Sequence, residues 1–176
     1  MKKIQLTILA SAITFAFTAG SALAGTATAN IPVSANVDAS CTIAATPVAF
    51  GAYNPTSATD LYSTGTVTIA CVKGSTPVVS LSNGLNPGAI AGERSMKHAT
   101  AADLINYVLY KPTSTAPNAA CSTNASDVWA TDPAQRFTPT GFALTGSTYN
   151  VCGKVIAGQD VQAGAYSDTV IATVEF

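Results

Sequence analysis

Charge is scarce in this chain: 10% of its side chains are Asp, Glu, Lys or Arg, eight basic against nine acidic. A surface so poor in cations offers no electrostatic footprint for nucleic acid or anionic lipid, and no nucleic-acid partner is expected. Histidine occurs once, as His98. No C-x-x-C pair exists and no cysteine lies near that histidine in sequence, so the ligand spacing of a zinc site is missing; no metal and no cofactor are expected. Catalytic patterns are missing too. A Ser-His-acid relay would have to use His98, no Gly-x-Ser-x-Gly elbow presents a nucleophile, and no glycine-rich phosphate loop occurs. The seven Asp and two Glu are scattered, mostly in turn-like contexts, without the constellation of a glycosidase pair. The chain is therefore expected not to be an enzyme and has no candidate catalytic residue.

Helical periodicity is absent as well; Thr100 to Leu104 is expected to form one turn and nothing longer. The one long apolar run, Ile4 to about Thr18, falls short of the roughly 20 residues a membrane span requires. Lys2 and Lys3 precede it and Ser21-Ala22-Leu23-Ala24 follows it, the pattern of an export signal cleaved after Ala24. Residues 1–24 are read as that signal, and the product as secreted and soluble.

What remains is rich in Thr, Ser, Ala and Val, a composition that suits a close-packed extracellular β protein and not a disordered one, since disordered chains are charge-rich and apolar-poor. Its length is enough for one domain with a real core. Cys41, Cys71, Cys121 and Cys152 are even in number on an exported chain, so two disulfides are expected. Of the three connectivities, Cys41–Cys71 with Cys121–Cys152 is favoured: each pair closes a loop of about thirty residues within one half of the chain, worth roughly 3 to 4 kcal/mol.

Strand and turn signals fill the chain. Pro47 to Pro55 reads as a short strand broken by a turn, Gly65 to Cys71 alternates cleanly, and Pro77 to Leu81 runs into the turn Ser82-Asn83-Gly84. Ser95 to Lys97 and Leu104 to Tyr110 give two more strands, the second dense in β-branched and aromatic residues. Val128-Trp129, Gln135 to Thr138, Gly141 to Thr145 and Tyr149 to Val155 follow, and Gly164 to Phe176 is expected to be one long strand. The spacing favours a β-sandwich. Trp129, Tyr107 and Tyr110 could make a carbohydrate platform, but on such strands aromatic rings are expected in the core. Glu93 and Arg94 are expected to form a local ion pair near a turn.

Residues 25–37 stand apart. Ala27, Ala29, Ile31, Val33, Ala35 and Val37 share one face of an alternating stretch that would span roughly 35 Å as a strand. Periodicity alone leaves two readings open: the first strand of a complete domain, or a strand given to another molecule. On burial, Ile31 and Val33 could each contribute about 1.5 to 3 kcal/mol, far more than the alanines.

The order of Phe50-Gly51 and Tyr53, the strand ending at Cys71, Asn83-Gly84, Gly92-Glu-Arg94-Ser-Met96, Tyr107-Val-Leu109-Tyr110 and a final Gly-x-Tyr-x-Asp-Thr-Val-x-x-Thr-Val-x-Phe resembles the spore coat protein U domain. That family includes the Csu-type pilus subunits of the archaic chaperone-usher pathway, and the resemblance covers essentially all of residues 25–176. It implies an all-β, incomplete immunoglobulin-like β-sandwich over residues 38–176, lacking its final strand and completed by donor-strand exchange. A periplasmic chaperone would fill the open groove first. At the outer-membrane usher, the N-terminal strand of an identical or related subunit would then replace it.

On this reading Ala27, Ala29, Ile31, Val33, Ala35 and Val37 are the donor face. Tyr166, Asp168, Val170, Ala172, Val174 and Phe176 border the groove and pair with the chaperone. The function so implied is that of a structural subunit of a cell-surface pilus supporting adhesion and biofilm formation. The alternative is a secreted lectin-like or adhesive module, or a minor or tip adhesin of such a fibre. Tip adhesins generally carry an extra receptor-binding domain in place of a donor strand, so a donor-like strand on one domain favours an internal position.

Overall fold

The computed structural model describes residues 25–88 and 92–176, and the expected export signal, residues 1–24, lies outside them. Two compact units divide the chain, Met1–Asn36 and Val37–Phe176. In the first, residues 25–36 carry no strand and every one is exposed, Ile31 at 84% and Val33 at 92%. Alternation expresses itself as a strand only where a neighbour completes the ladder, and among the described residues no strand is paired with this stretch.

The described residues of the second unit form eight strands: β1 (Cys41–Thr46), β2 (Leu61–Cys71), β3 (Val78–Leu81), β4 (Glu93–His98), β5 (Leu104–Tyr110), β6 (Ser147–Val155), β7 (Tyr166–Ser167) and β8 (Ala172–Glu175). They form a six-stranded sheet in the order β1-β2-β6-β5-β4-β7 and a two-stranded sheet β3-β8, with every pairing antiparallel. Both disulfides reinforce this frame. Cys41–Cys71 joins the first residue of β1 to its register partner at the end of β2, and Cys121–Cys152 pins the long β5–β6 connection to β6.

Period-two burial puts Val67, Ile69 and Cys71 of β2, Ile105, Tyr107 and Leu109 of β5, and Tyr149, Val151 and Val155 of β6 on the inner face. Val79 and Leu81 face them from the small sheet. One half of this core is closed by aromatic packing. Trp129 is fully buried, lies 4.9 Å from the Phe137 ring and donates its indole N–H to the Val79 carbonyl, while Phe137 meets Tyr149 at 5.4 Å. Trp129, Tyr107 and Tyr110 are thus interior residues and form no exposed platform.

Several local expectations need correction. Residues 128–145 hold no ladder: single bridges tie Val128 to Tyr110 and Phe137 to Val79, each just after a 3-10 turn, at Ala125–Asp127 and Pro133–Gln135. Pro133 presets the second turn and the Asp132 carboxylate caps it at the Ala134 amide, so local turn chemistry overrides strand propensity. Residues 47–53 pair with no strand. Where one turn is expected over Thr100 to Leu104, residues 99–102 form bends, organised by His98 Nδ1 accepting from the Thr100 and Ala101 amides, and Leu104 already opens β5. The expected long final strand is divided into β7 and β8, which belong to different sheets.

Arg94 departs most from expectation. It is fully buried and makes no ion pair with Glu93; Nε donates to the Ser82 carbonyl at 2.8 Å, and the two terminal nitrogens reach the carbonyls of Gly92, Leu81 and Trp129. Burial pulls its guanidinium below its ordinary value, and the neighbouring Tyr107 and Asp168 oppose that shift. The side chain satisfies carbonyls at the end of β3, in the turn just before its own strand and in the Trp129 segment at once, so it joins the two sheets from inside. Arg94→Leu would strand those carbonyls, and we expect a loss of at least about 3 kcal/mol, read from urea unfolding midpoints. Arg94→Lys should recover little of it, because an ammonium cannot present the planar fork.

Candidate functional site

The half of the core away from Trp129 is not closed. A cleft of about 970 Å³ runs along it, with Val67, Leu81, Ile105, Tyr107, Leu109, Val151 and Val155 as its floor. One wall is the segment 45–53, which brings Val48, Phe50 and Tyr53 to the opening; the other is 161–172, which brings Val161, Tyr166, Val170 and Ala172. All of these wall residues are half-buried. Among the described residues no backbone hydrogen bond joins the two walls. A β-sandwich with a missing strand would leave such a gap.

Two glycines seat the first wall. Gly65 of β2 and Gly153 of β6 lie inside otherwise well-formed strands, where glycine costs stability unless another chain approaches closely. A Cβ on Gly65 would stand 2.8 Å from the Thr46 and Pro47 carbonyl oxygens, and one on Gly153 would stand 2.6 Å from Val48 and Phe50 side-chain carbons. Their bare backbones let residues 46–50 lie flat on the sheet. Further along, Tyr53 donates its hydroxyl to the Ile156 carbonyl and accepts from the Gln159 amide, tying the wall to the turn after β6.

Polar groups hold the second wall. His98, the sole histidine, contacts the Ala163 carbonyl through Nε2 at 3.3 Å and meets the Tyr166 ring edge-on at 4.9 Å. With Nδ1 already accepting two amides, Nε2 is the donor and both ring nitrogens are engaged. Asp168 accepts from the Leu85 amide at 2.8 Å and from the Tyr107 hydroxyl at 2.6 Å. Tyr107 is buried in the floor and also touches Phe50 of the opposite wall, ring to ring at 6.0 Å. Its phenol is pushed far above its ordinary value, first by burial, then by the hydrogen bond and negative charge of Asp168.

Of the residues expected to border a groove, Tyr166, Asp168, Val170 and Ala172 line the cleft. Val174 packs on the core beyond it, paired with Val79, and Phe176 is mostly exposed. Ala27, Ala29, Ile31, Val33, Ala35 and Val37 are all exposed. Sequence reasoning did not single out Val48, Phe50 and Tyr53 as a wall; the available signal was the pair of glycines within strands β2 and β6. Among the described residues, no group of three or more His, Cys, Asp or Glu is placed to hold a metal ion.

Three comparisons say which known proteins the chain is similar to. The Spore Coat Protein U domain model matches residues 27–173. Protein U of Myxococcus xanthus is 31% identical over 166 residues, covering 87% of each chain. The crystal structure of the CsuC–CsuE chaperone–tip adhesion subunit pre-assembly complex, from the archaic chaperone-usher Csu pili of Acinetobacter baumannii, contains a chain that superposes with a TM-score of 0.56 at 28% identity. That match covers 80% of this chain and 40% of the solved one. The all-β fold has the immunoglobulin-like architecture of that subunit.

Two outcomes follow from the walls. Gly153→Val should lift Val48 and Phe50 off the sheet, costing about 1 to 3 kcal/mol by overpacking, measurable as a lowered melting temperature. Because the folded state raises the Tyr107 phenol, its contribution is intact below the unfolded value of about 10 and is lost as pH rises from there towards the folded value. Melting temperature should fall above about pH 10, and Tyr107→Phe should flatten that alkaline limb.

Proposed function

The chain belongs to the spore coat protein U domain family, and we propose that it is a structural subunit of a chaperone-usher pilus that polymerises by laying its N-terminal segment in the cleft of the next copy. The observation that carries this reading is one chain holding both halves of a strand-addition joint. It has an open apolar cleft of about 970 Å³ with unjoined walls, and a segment of alternating apolar side chains that is exposed along its length. Each half is unfavourable alone, the cleft because apolar floor faces water and the segment because its backbone lacks a ladder. Joining them satisfies backbone groups and buries side chains together, which is the physics of β-augmentation.

Within the donor face, Ile31 and Val33 are the anchors, each worth about 1.5 to 3 kcal/mol on burial. Pro32 lies on the opposite parity and lacks an N–H, so it faces a side of the strand that needs no donor. Before assembly, the same cleft is the docking place for a periplasmic chaperone, which pairs along the wall at 161–172; the outer-membrane usher then exchanges chaperone for donor strand. The match to a chain of a chaperone–subunit pre-assembly complex of Csu pili supports the chaperone step. The product is a non-covalent fibre at the cell surface that serves adhesion and biofilm formation.

Ile31→Asp and Val33→Asp should each block polymerisation while leaving the subunit able to bind chaperone, followed by fibre length in electron micrographs and by chaperone co-purification. Deleting residues 25–37 should give a subunit that aggregates and is rescued by a synthetic peptide of that stretch. Fibres of normal length from any of the three would refute donation.

A further inference from the structure

The C-terminal segment changes sheets in the space of a few residues. Upstream, β7 pairs with β4 of the large sheet; downstream, β8 pairs with β3 of the small one. Asp168 stands at the crossing. Its carboxylate accepts from the Leu85 amide, in the turn following β3, and from the Tyr107 hydroxyl, on β5. The turn is shaped around it: Gly84 has φ +74°, and a Cβ there would collide with the carboxylate. Arg94, the register partner of Tyr107, brings its positive charge to the same place. One side chain of the groove wall is thereby tied to both sheets by hydrogen bonds.

We propose that Asp168 is a positioning residue for strand capture, holding the groove at strand width while it is empty. The inference rests on the strand-donation reading. An open apolar cleft tends to close, because inward movement of either wall removes apolar surface from water. Tyr107 acts as the spacer, since its ring meets Phe50 of one wall and its hydroxyl is held by Asp168 of the other. Without that link the stretch 168–170, between β7 and the Ile171–Ser82 hydrogen bonds, is free to swing over the floor, and capture slows in proportion to the fraction of subunits still open. Once a strand is seated it supplies a ladder to the walls, and the link becomes redundant. The role therefore belongs to the rate of assembly and not to the stability of the assembled fibre.

The test follows assembly of the full chain by light scattering, from monomers released by dilution out of denaturant with disulfides intact, together with the melting temperature of the resulting fibres. Asp168→Ala should slow assembly by about tenfold. Tyr107→Phe should slow it less, and the double variant should be no slower than Asp168→Ala, because the two share one link. Asp168→Asn should stay within about threefold of wild type, since its oxygen still accepts from the Leu85 amide and its amide N–H can donate to the Tyr107 hydroxyl. Fibre melting temperatures should be alike throughout. Wild-type rates in Asp168→Ala, an Asn variant as slow as Ala, or fibres that melt lower in step with the rates would overturn the proposal. Should Asp168→Ala fail to fold, an unchanged rate in Tyr107→Phe overturns it equally. Ile31→Asp separates the two readings: assembly by that variant removes donation and the role of Asp168 with it. A block there, with Asp168→Ala at full rate, removes only the role of Asp168.

Discussion

A core that is open along one side cannot be kept in shape by its own packing, and the structure depends on polar groups that do this work in place of side-chain contact. Apolar burial is non-directional; it favours any closure of the cleft and specifies none. Direction comes from Arg94, whose guanidinium reaches carbonyls of the small sheet from within the large one, and from Asp168 and His98, which locate the wall at 161–172. Buried polar networks are costly when half satisfied. Here the four Arg94 contacts, the two Asp168 contacts and the engaged ring nitrogens of His98 leave each of these groups with partners.

The closed and open halves of the core are consequently different kinds of interior. Around Trp129, Phe137 and Tyr149 the rings interlock, and the Trp129 N–H finds a carbonyl. Around Tyr107 and Ile105 the floor is equally apolar but lines an open cleft. The register accounts for the division: β2 and β6 run through both halves, with Ile69 and Tyr149 towards one end and Gly65 and Gly153 towards the other. The glycines mark where the sheet yields space to the wall, and large residues return where it packs against aromatic rings.

The strands that pair along most of their length were legible in the sequence. β2 alternates throughout and β5 and β6 over most of their length, and all three appear near the places their residues indicate. The ordered motifs carried the family. Legibility failed where a residue's role depends on something distant in the chain. Nothing around Arg94 announces carbonyls from Leu81, Ser82 and Trp129, so a neighbouring Glu93 looked like its partner. The final alternating segment looked like one strand because period-two burial persists through 166–174 even as the pairing moves from β4 to β3. Residues 47–51 keep strand-like alternation without a strand's hydrogen bonds, a state that burial pattern alone does not distinguish from pairing.

The Cys41–Cys71 disulfide has a mechanical consequence. It lies where the exposed N-terminal stretch gives way to β1, and it joins that point to the far end of β2, which is hydrogen-bonded on both sides by β1 and β6. A pull on the chain upstream of Cys41 therefore does not have to travel along β1 and unzip it residue by residue from the sheet edge. The load passes through a covalent bond into an interior strand and is shared across two ladders at once. In a chain of subunits under tension, the edge strand would then be spared, and the first element to yield would be the seat between one subunit and the next.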